Sequence, residues 1–103
     1  MKRFIYIIAN ESNEFKIGIG KDPSIRIKQL QTGNPQPLKI LYMREIHFAS
    51  KVETNLHIHY KEYRQHGEWF SIPENFSYDI LDKQITTYEN NFIQLKNQNN
   101  PYI

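Results

Sequence analysis

The sequence predicts a small α/β domain of the α+β kind, in which a three-stranded antiparallel sheet is flanked by helices. Two β-rich segments joined by a four-residue polar link open the chain, a third follows near its middle, and apolar residues recur at helical spacing after the second and third of these segments. With 103 residues, the chain has the size of one ordinary domain. We therefore expect a single domain over residues 1–96 and a polar tail over residues 97–103.

The first two strands are predicted over residues 3–9 and 14–20 and should pair as a β-hairpin. Alternation in the second strand sends its apolar side chains to one face and Lys16, Gly18 and Gly20 to the other. Because the two glycines leave that second face almost bare, we expect another group to approach the backbone closely there.

The first helix is predicted over residues 23–32. Asp22 can cap it, Pro23 suits its first position, and Gly33 can end it. Arg26 lies beside the buried stripe of this helix and can therefore reach back over the sheet.

The rest of the chain predicts a third strand over residues 38–46, a helix from Ser50 to about Gln65, a short extended segment over 68–72 and a last helix over 78–96. The second helix opens with Ser-Lys-Val-Glu, which matches a capping box whose last residue is Glu53. This spacing leaves two roles open for that glutamate, a structural cap or a metal ligand, of which the cap is the more common.

Composition narrows the class of function. The formal net charge is only +2, but residues 1–48 carry eight Lys or Arg against four Asp or Glu, so the front half is the face that favours an anion. The absence of cysteine excludes a disulfide scaffold, a thiolate zinc site and a cysteine nucleophile. No apolar run approaches the length of a membrane span, and we expect a cytoplasmic protein, in the host cytoplasm if it is viral.

A phosphate site is predicted where the hairpin meets the first helix. Tyr6 lies among isoleucines in the first strand, so its buried hydroxyl needs a polar partner. Lys16 is the one charge on the bare glycine face, and Arg26 reaches over the same sheet. Together these three side chains can surround a shallow site suited to a phosphate.

At these residues the chain resembles the GIY-YIG nuclease superfamily, and most closely its short branch from phage and other mobile or microbial genomes, often labelled as DNA-binding. The pattern of this branch occurs here, in order, as Tyr6, Lys16-Ile17-Gly18, Arg26, Leu30 with Asn34-Pro35, Glu53 with Leu56-His57, and Glu68-Trp69-Phe70. The resemblance covers about residues 3–72. It implies the same fold, a three-stranded antiparallel sheet flanked by helices.

The resemblance also implies an activity, the metal-dependent hydrolysis of DNA phosphodiester bonds with Mg²⁺ or Mn²⁺ as cofactor. Glu53 would be the metal ligand, Arg26 would stabilise the charged phosphate, and the Tyr6 hydroxyl would position or deprotonate the attacking water. Lys16 replaces the second tyrosine of the family name and supplies charge, while Leu30 replaces a residue that is often polar. The further residues expected to bind substrate are Gly18, Gly20, Lys21, Lys28, Asn34 and His57.

A second class of function stays open from the sequence, namely a DNA-binding or regulatory module that keeps the fold but turns over little or nothing. The complete set of Tyr6, Arg26 and Glu53 favours the enzyme, whereas the small net charge and the lack of a recognition domain favour the module. In both cases we expect DNA as partner, with no small-molecule cofactor and no membrane. A partner protein can supply targeting.

Overall fold

The computed structural model describes residues 1–98. Five strands and three α-helices follow one another in the order β1 Lys2–Ala9, β2 Glu14–Gly20, α1 Pro23–Thr32, β3 Lys39–His47, α2 Ala49–His59, β4 Arg64–His66, β5 Trp69–Ser71 and α3 Tyr78–Asn97. A 3₁₀ turn at Lys61–Tyr63 separates α2 from β4. The strands form one antiparallel sheet with the spatial order β3-β1-β2-β5-β4.

The sheet has five strands, so the predicted three-stranded sheet is wrong. β4 and β5 form a small hairpin, and β5 pairs with residues 14–16 of β2. The predicted helix to Gln65 is also wrong, since α2 ends at His59. Tyr60 and Tyr63 are three residues apart, which suits a 3₁₀ turn as well as an α-helix, and every side chain of β4 is exposed. Apolar spacing therefore gave no sign of the break or of the strand after it.

The main core lies between one face of the sheet and helices α2 and α3. Phe15 and Ile17 of β2 are buried in it, which confirms the predicted alternation of that strand. The other members that are at most 1 % exposed are Ile5, Ile7, Ile46, Val52, Leu56, Phe70, Leu81 and Ile85.

Helix α1 packs on the opposite face, against β1, β2 and β3. Its predicted start is confirmed, because Asp22 Oδ1 accepts hydrogen bonds from the backbone N–H groups of Ser24, at 3.0 Å, and Ile25, at 3.4 Å. Pro23 is the first helical residue. Tyr6 is buried but lies outside the main core cluster, as alternation along β1 requires for a side chain that points toward α1. This arrangement sets Arg26, in the first turn of α1, beside the Tyr6 face.

The start of α2 differs from the predicted capping box. Phe48 is the N-cap, in a left-handed conformation with φ of 57°, and it makes no side-chain capping bond. It is also the one residue between β3 and α2, so the chain reverses there before Ser50 can act as a cap. Ser50 is instead the second helical residue, and its carbonyl accepts a hydrogen bond from the Thr54 hydroxyl at 3.1 Å. Glu53, the fifth helical residue, is therefore not a capping-box residue.

The remaining boundaries lie within one residue of their predicted positions. α3 ends at Asn97 and Gln98 caps it, so most of the predicted polar tail, residues 99–103, lies outside the described residues. Within residues 1–98, each helix is too short or too polar to span a lipid bilayer.

Candidate functional site

Tyr6 and Gly18 form the centre of the candidate site. They are directly opposed in the β1–β2 register, and the Tyr6 ring lies so close over Gly18 that a Cβ there would stand 2.6 Å from its Cε1, Cζ and hydroxyl oxygen. At Gly20 the nearest ring atom would be 3.9 Å away. The group that approaches the bare glycine face is thus the tyrosine ring, and only a glycine at position 18 leaves room for it.

The environment of Tyr6 keeps its phenol neutral at physiological pH. The side chain is 2 % exposed, and this burial is the main cause that raises its pKa. The Arg26 guanidinium opposes that effect on the pKa through hydrogen bonding and charge, while the negative charges of Glu53 and Glu68 add to it. Arg26 Nη1 also donates to Gln29 Oε1 at 3.3 Å. Residues from three separate segments therefore act on one hydroxyl group.

Glu53 presents a carboxylate without a hydrogen-bond or ion-pair partner among residues 1–98. The side chain is half-buried, and its burial is the largest influence that raises its pKa. Glu68 raises this pKa further, whereas His57 and Lys16 lower it. The carboxylate thus lies in the same electrostatic neighbourhood as Tyr6 and Lys16, with its oxygens available to a ligand.

Lys16 is held by an ion pair. Its Nζ lies 2.6 Å from Glu68 Oε2, with the lysine side chain 13 % exposed and the glutamate 56 % exposed. This contact, first as a hydrogen bond and then as a charge, lowers the pKa of Glu68. Glu68 is not among the site residues predicted from the sequence. Its signal was the Glu-Trp-Phe run, but its proximity to Lys16 depends on the pairing of Lys16 with Trp69 between β2 and β5.

The His57 side chain joins α2 to β2 by a hydrogen bond. Its Nε2 lies 3.0 Å from the backbone carbonyl of Ile17. A carbonyl can only accept, so Nε2 carries the hydrogen and donates it. The centre of the His57 ring also lies 5.5 Å from the centre of the Phe70 ring. This contact fixes the helix turn after Glu53, and the expected role of His57 in substrate binding stays a prediction.

Of the other residues expected to bind substrate, the two glycines lie next to Tyr6, and the rest lie on α1, beside it or in the turn after it. Gly18 and Gly20 line the Tyr6 face, while Lys21 and Lys28 are exposed. Asn34 belongs to the turn after α1, where its Oδ1 accepts from the backbone N–H of Gln36 at 3.0 Å. The structure thus brings Tyr6, Lys16, Arg26 and Glu53 together, and it gives Asn34 a structural contact instead.

A divalent metal ion would find one unpaired carboxylate here, that of Glu53, because Glu68 is paired with Lys16. Within residues 1–98, no three His, Asp or Glu side chains are grouped so that they could hold a metal. Mg²⁺ nevertheless binds commonly through one or two carboxylates, several waters and the phosphates of a substrate. Glu53, an oxygen ligand of the type that Mg²⁺ and Mn²⁺ prefer, fits such a shared site.

Comparison with curated proteins and with solved structures finds no match. The T5orf172 domain matches residues 3–85, which is most of the chain. This domain is linked to phage-type nucleases and suggests a nuclease or DNA-binding role; membership of the GIY-YIG superfamily stays a prediction. With the hairpin, α1 and α2 all inside the matched range, the chain belongs to the T5orf172 domain family.

Proposed function

We propose that this protein is a metal-dependent endonuclease that hydrolyses phosphodiester bonds in DNA. The observation that carries the proposal is the half-buried Glu53 carboxylate, which has no partner among the described residues and acts on the pKa of Tyr6. A carboxylate that is partly removed from water and left unpaired costs stability. Its position near Tyr6 and Lys16 is therefore better explained by a ligand than by the fold.

Each side chain of the site has a distinct task in this mechanism. A bound Mg²⁺ or Mn²⁺ supplies Lewis-acid polarisation of the phosphodiester. Glu53 contributes one oxygen ligand, and Arg26 donates hydrogen bonds to the phosphate oxygens as their negative charge grows. The neutral Tyr6 hydroxyl orients the attacking water, because burial keeps its pKa above the ordinary value. Lys16 contacts a phosphate once it leaves Glu68.

A non-catalytic DNA-binding module is the second candidate. One observation favours it: within residues 1–98 the site offers one unpaired carboxylate rather than a group of metal-ligating side chains. In this case the same surface would bind the DNA backbone without breaking it.

The test is cleavage of supercoiled plasmid with Mg²⁺ or Mn²⁺ and with chelator, using the parent, Glu53→Gln and Glu62→Gln. The control makes the same chemical change at an exposed glutamate on the 3₁₀ turn. We expect metal-dependent nicking by the parent and the control, and a loss of at least about 100-fold in Glu53→Gln, the usual effect of removing one group that stabilises the transition state. A parent that cleaves no plasmid, branched or single-stranded DNA would favour the binding module.

A further inference from the structure

A second feature of the molecule carries charge outside the site described so far. A cavity of about 490 Å³ lies where β1 and α2 begin. Arg3, His47, Ser50, Lys51 and Lys96 supply its polar lining, and no described carboxylate contributes to that lining. Its volume falls in the range of ordinary ligand sites, and its chemistry is that of a site for an anion.

None of the three cations of the cavity is paired with a carboxylate of residues 1–98. Arg3, Lys51 and Lys96 have no carboxylate within 4.0 Å among residues 1–98, whereas Lys16 and Arg44 are both paired. Three positive charges exceed the formal net charge of +2 of the whole chain. Because no described carboxylate lines the cavity, its three cations concentrate positive potential there.

Aromatic rings hold the two lysines of the cavity in place. Lys96 Nζ lies 5.8 Å from the centre of the Phe48 ring, and Lys51 Nζ lies 6.0 Å from that of Phe92. An aromatic face attracts an ammonium group but does not cancel its charge. Less side-chain freedom is then lost when an anion binds, so the cavity is partly preorganised.

The cavity and the candidate active site share two elements. Lys51 precedes Glu53 by two residues on α2, and Arg3 precedes Tyr6 by three residues on β1. Strand residues three apart point to opposite faces of a sheet, and helix residues two apart do not share a face. The cavity is therefore a second surface, distinct from the one that holds Tyr6 and Glu53.

We propose that the cavity binds the DNA backbone at a second point, away from the phosphate held at Tyr6, Arg26 and Glu53. The inference deepens the proposed function and rests on it for the place of the scissile phosphate. Guanidinium and ammonium groups on rigid elements match phosphodiester oxygens, and they carry no base recognition. The cavity would then supply affinity and register that the small net charge of the chain does not.

The test is the salt dependence of duplex binding in chelator, where no cleavage can occur. The double variant Lys51→Gln/Lys96→Gln is compared with Lys61→Gln/Lys83→Gln, which removes the same charge from exposed positions that do not line the cavity. Loss of two phosphate contacts should reduce the slope of log affinity against log salt by about 1.8. An unchanged slope, or an equal reduction in the control, would overturn the proposal. If the double variant does not fold, Lys51→Gln alone should reduce the slope by about 0.9.

Two further results separate the possible failures. If the parent cleaves plasmid but the double variant has an unchanged salt slope, the proposal that the cavity binds DNA is refuted and the proposed nuclease function stands. If the slope is reduced but the parent cleaves no DNA, the proposed nuclease function is refuted and DNA binding by the cavity stands. Calorimetry with inorganic phosphate distinguishes the backbone from a free anion. We expect binding weaker than about 1 mM, and tight phosphate binding that the double variant loses would assign the cavity to a free anion instead.

Discussion

Replacement of Gly18 by alanine is the sharpest test of how the site is built. The new Cβ would stand 2.6 Å from three atoms of Tyr6, whereas ordinary contact begins at 3.4 Å. The ring or the β2 backbone must therefore shift, by 0.8 Å in all if ordinary contact is to be restored, which is the difference between these two distances. Tyr6 is only 2 % exposed, so the ring has no open space to enter, and its displacement is transmitted to its neighbours.

Both stability and activity should fall. Overpacking of this kind costs about 1–3 kcal/mol, and for a domain of this size each kcal/mol lowers Tm by roughly 4–8 °C. Under the proposed function, a displacement of about 1 Å at a group that positions the reactants costs about 100-fold in rate. We expect both losses in Gly18→Ala, measured by thermal denaturation and by the initial rate of plasmid cleavage.

Gly20→Ala is the matched control, because it adds the same methyl group to the same face of β2. Its nearest neighbour, Tyr6 Cε2, would be 3.9 Å away, an ordinary contact, so we expect Tm and rate near those of the parent. A Gly18→Ala protein with parental Tm and parental rate would refute the close approach of the ring. Equal losses in both variants would show instead that β2 does not tolerate side chains on this face.

Three other predictions concern single side chains. Because burial raises the pKa of Glu53, its charge opposes folding at neutral pH; Glu53→Gln should melt at or above the parent temperature near pH 7, and the difference should vanish as the pH falls through that pKa. A lower Tm near pH 7 would contradict this. Glu68→Gln should release Lys16 and tighten DNA binding by no more than about fivefold, since an exposed ion pair contributes at most about 1 kcal/mol, and the gain should be smaller in a Lys16→Met background. The pKa of Tyr42 is raised to about 12 by burial and by Asp82, so stability contributed by the neutral phenol should disappear as the pH rises from about 10 to about 12; Tyr42→Phe should remove one phenol from the high-pH end of an ultraviolet titration, and an unchanged titration curve would exclude this assignment.

The sequence predicted those parts of the fold whose causes are local. Helix α1 begins and ends at residues set by capping and backbone geometry, which depend on a few neighbouring residues: Asp22, Pro23 and Gly33. The alternation of β2 predicted its buried face and the close approach at Gly18 for the same reason. Local signals were therefore enough for the hairpin, for α1 and for the place of Tyr6.

The parts that sequence reasoning missed depend on contacts between distant segments. β4 has no buried side chain and is held by pairing with β5, so no periodicity marks it. The Lys16–Glu68 ion pair joins residues 52 positions apart and follows from the β2–β5 register. At Phe48 a bulky residue adopts a left-handed conformation, which sequence preference argues against. Because Phe48 is the N-cap, α2 begins one residue before Ser50, and Glu53 is not at the position of a capping-box residue.

Phe48 is the one residue between β3 and α2, so the position of Glu53 on α2 depends on the contacts that hold β3 against the last helix. Three hydrogen bonds join β3 to α3. The Tyr42 hydroxyl donates to Asp82 Oδ1 at 2.6 Å, Arg44 Nη1 donates to the Thr86 hydroxyl oxygen at 2.7 Å, and the His47 backbone N–H donates to Glu89 Oε2 at 2.7 Å. A one-residue link cannot absorb a shift of the strand, so α2 must follow β3. We therefore expect loosening of α3 to misalign Glu53 against Tyr6 before the sheet unfolds, although α3 supplies no side chain to the candidate site.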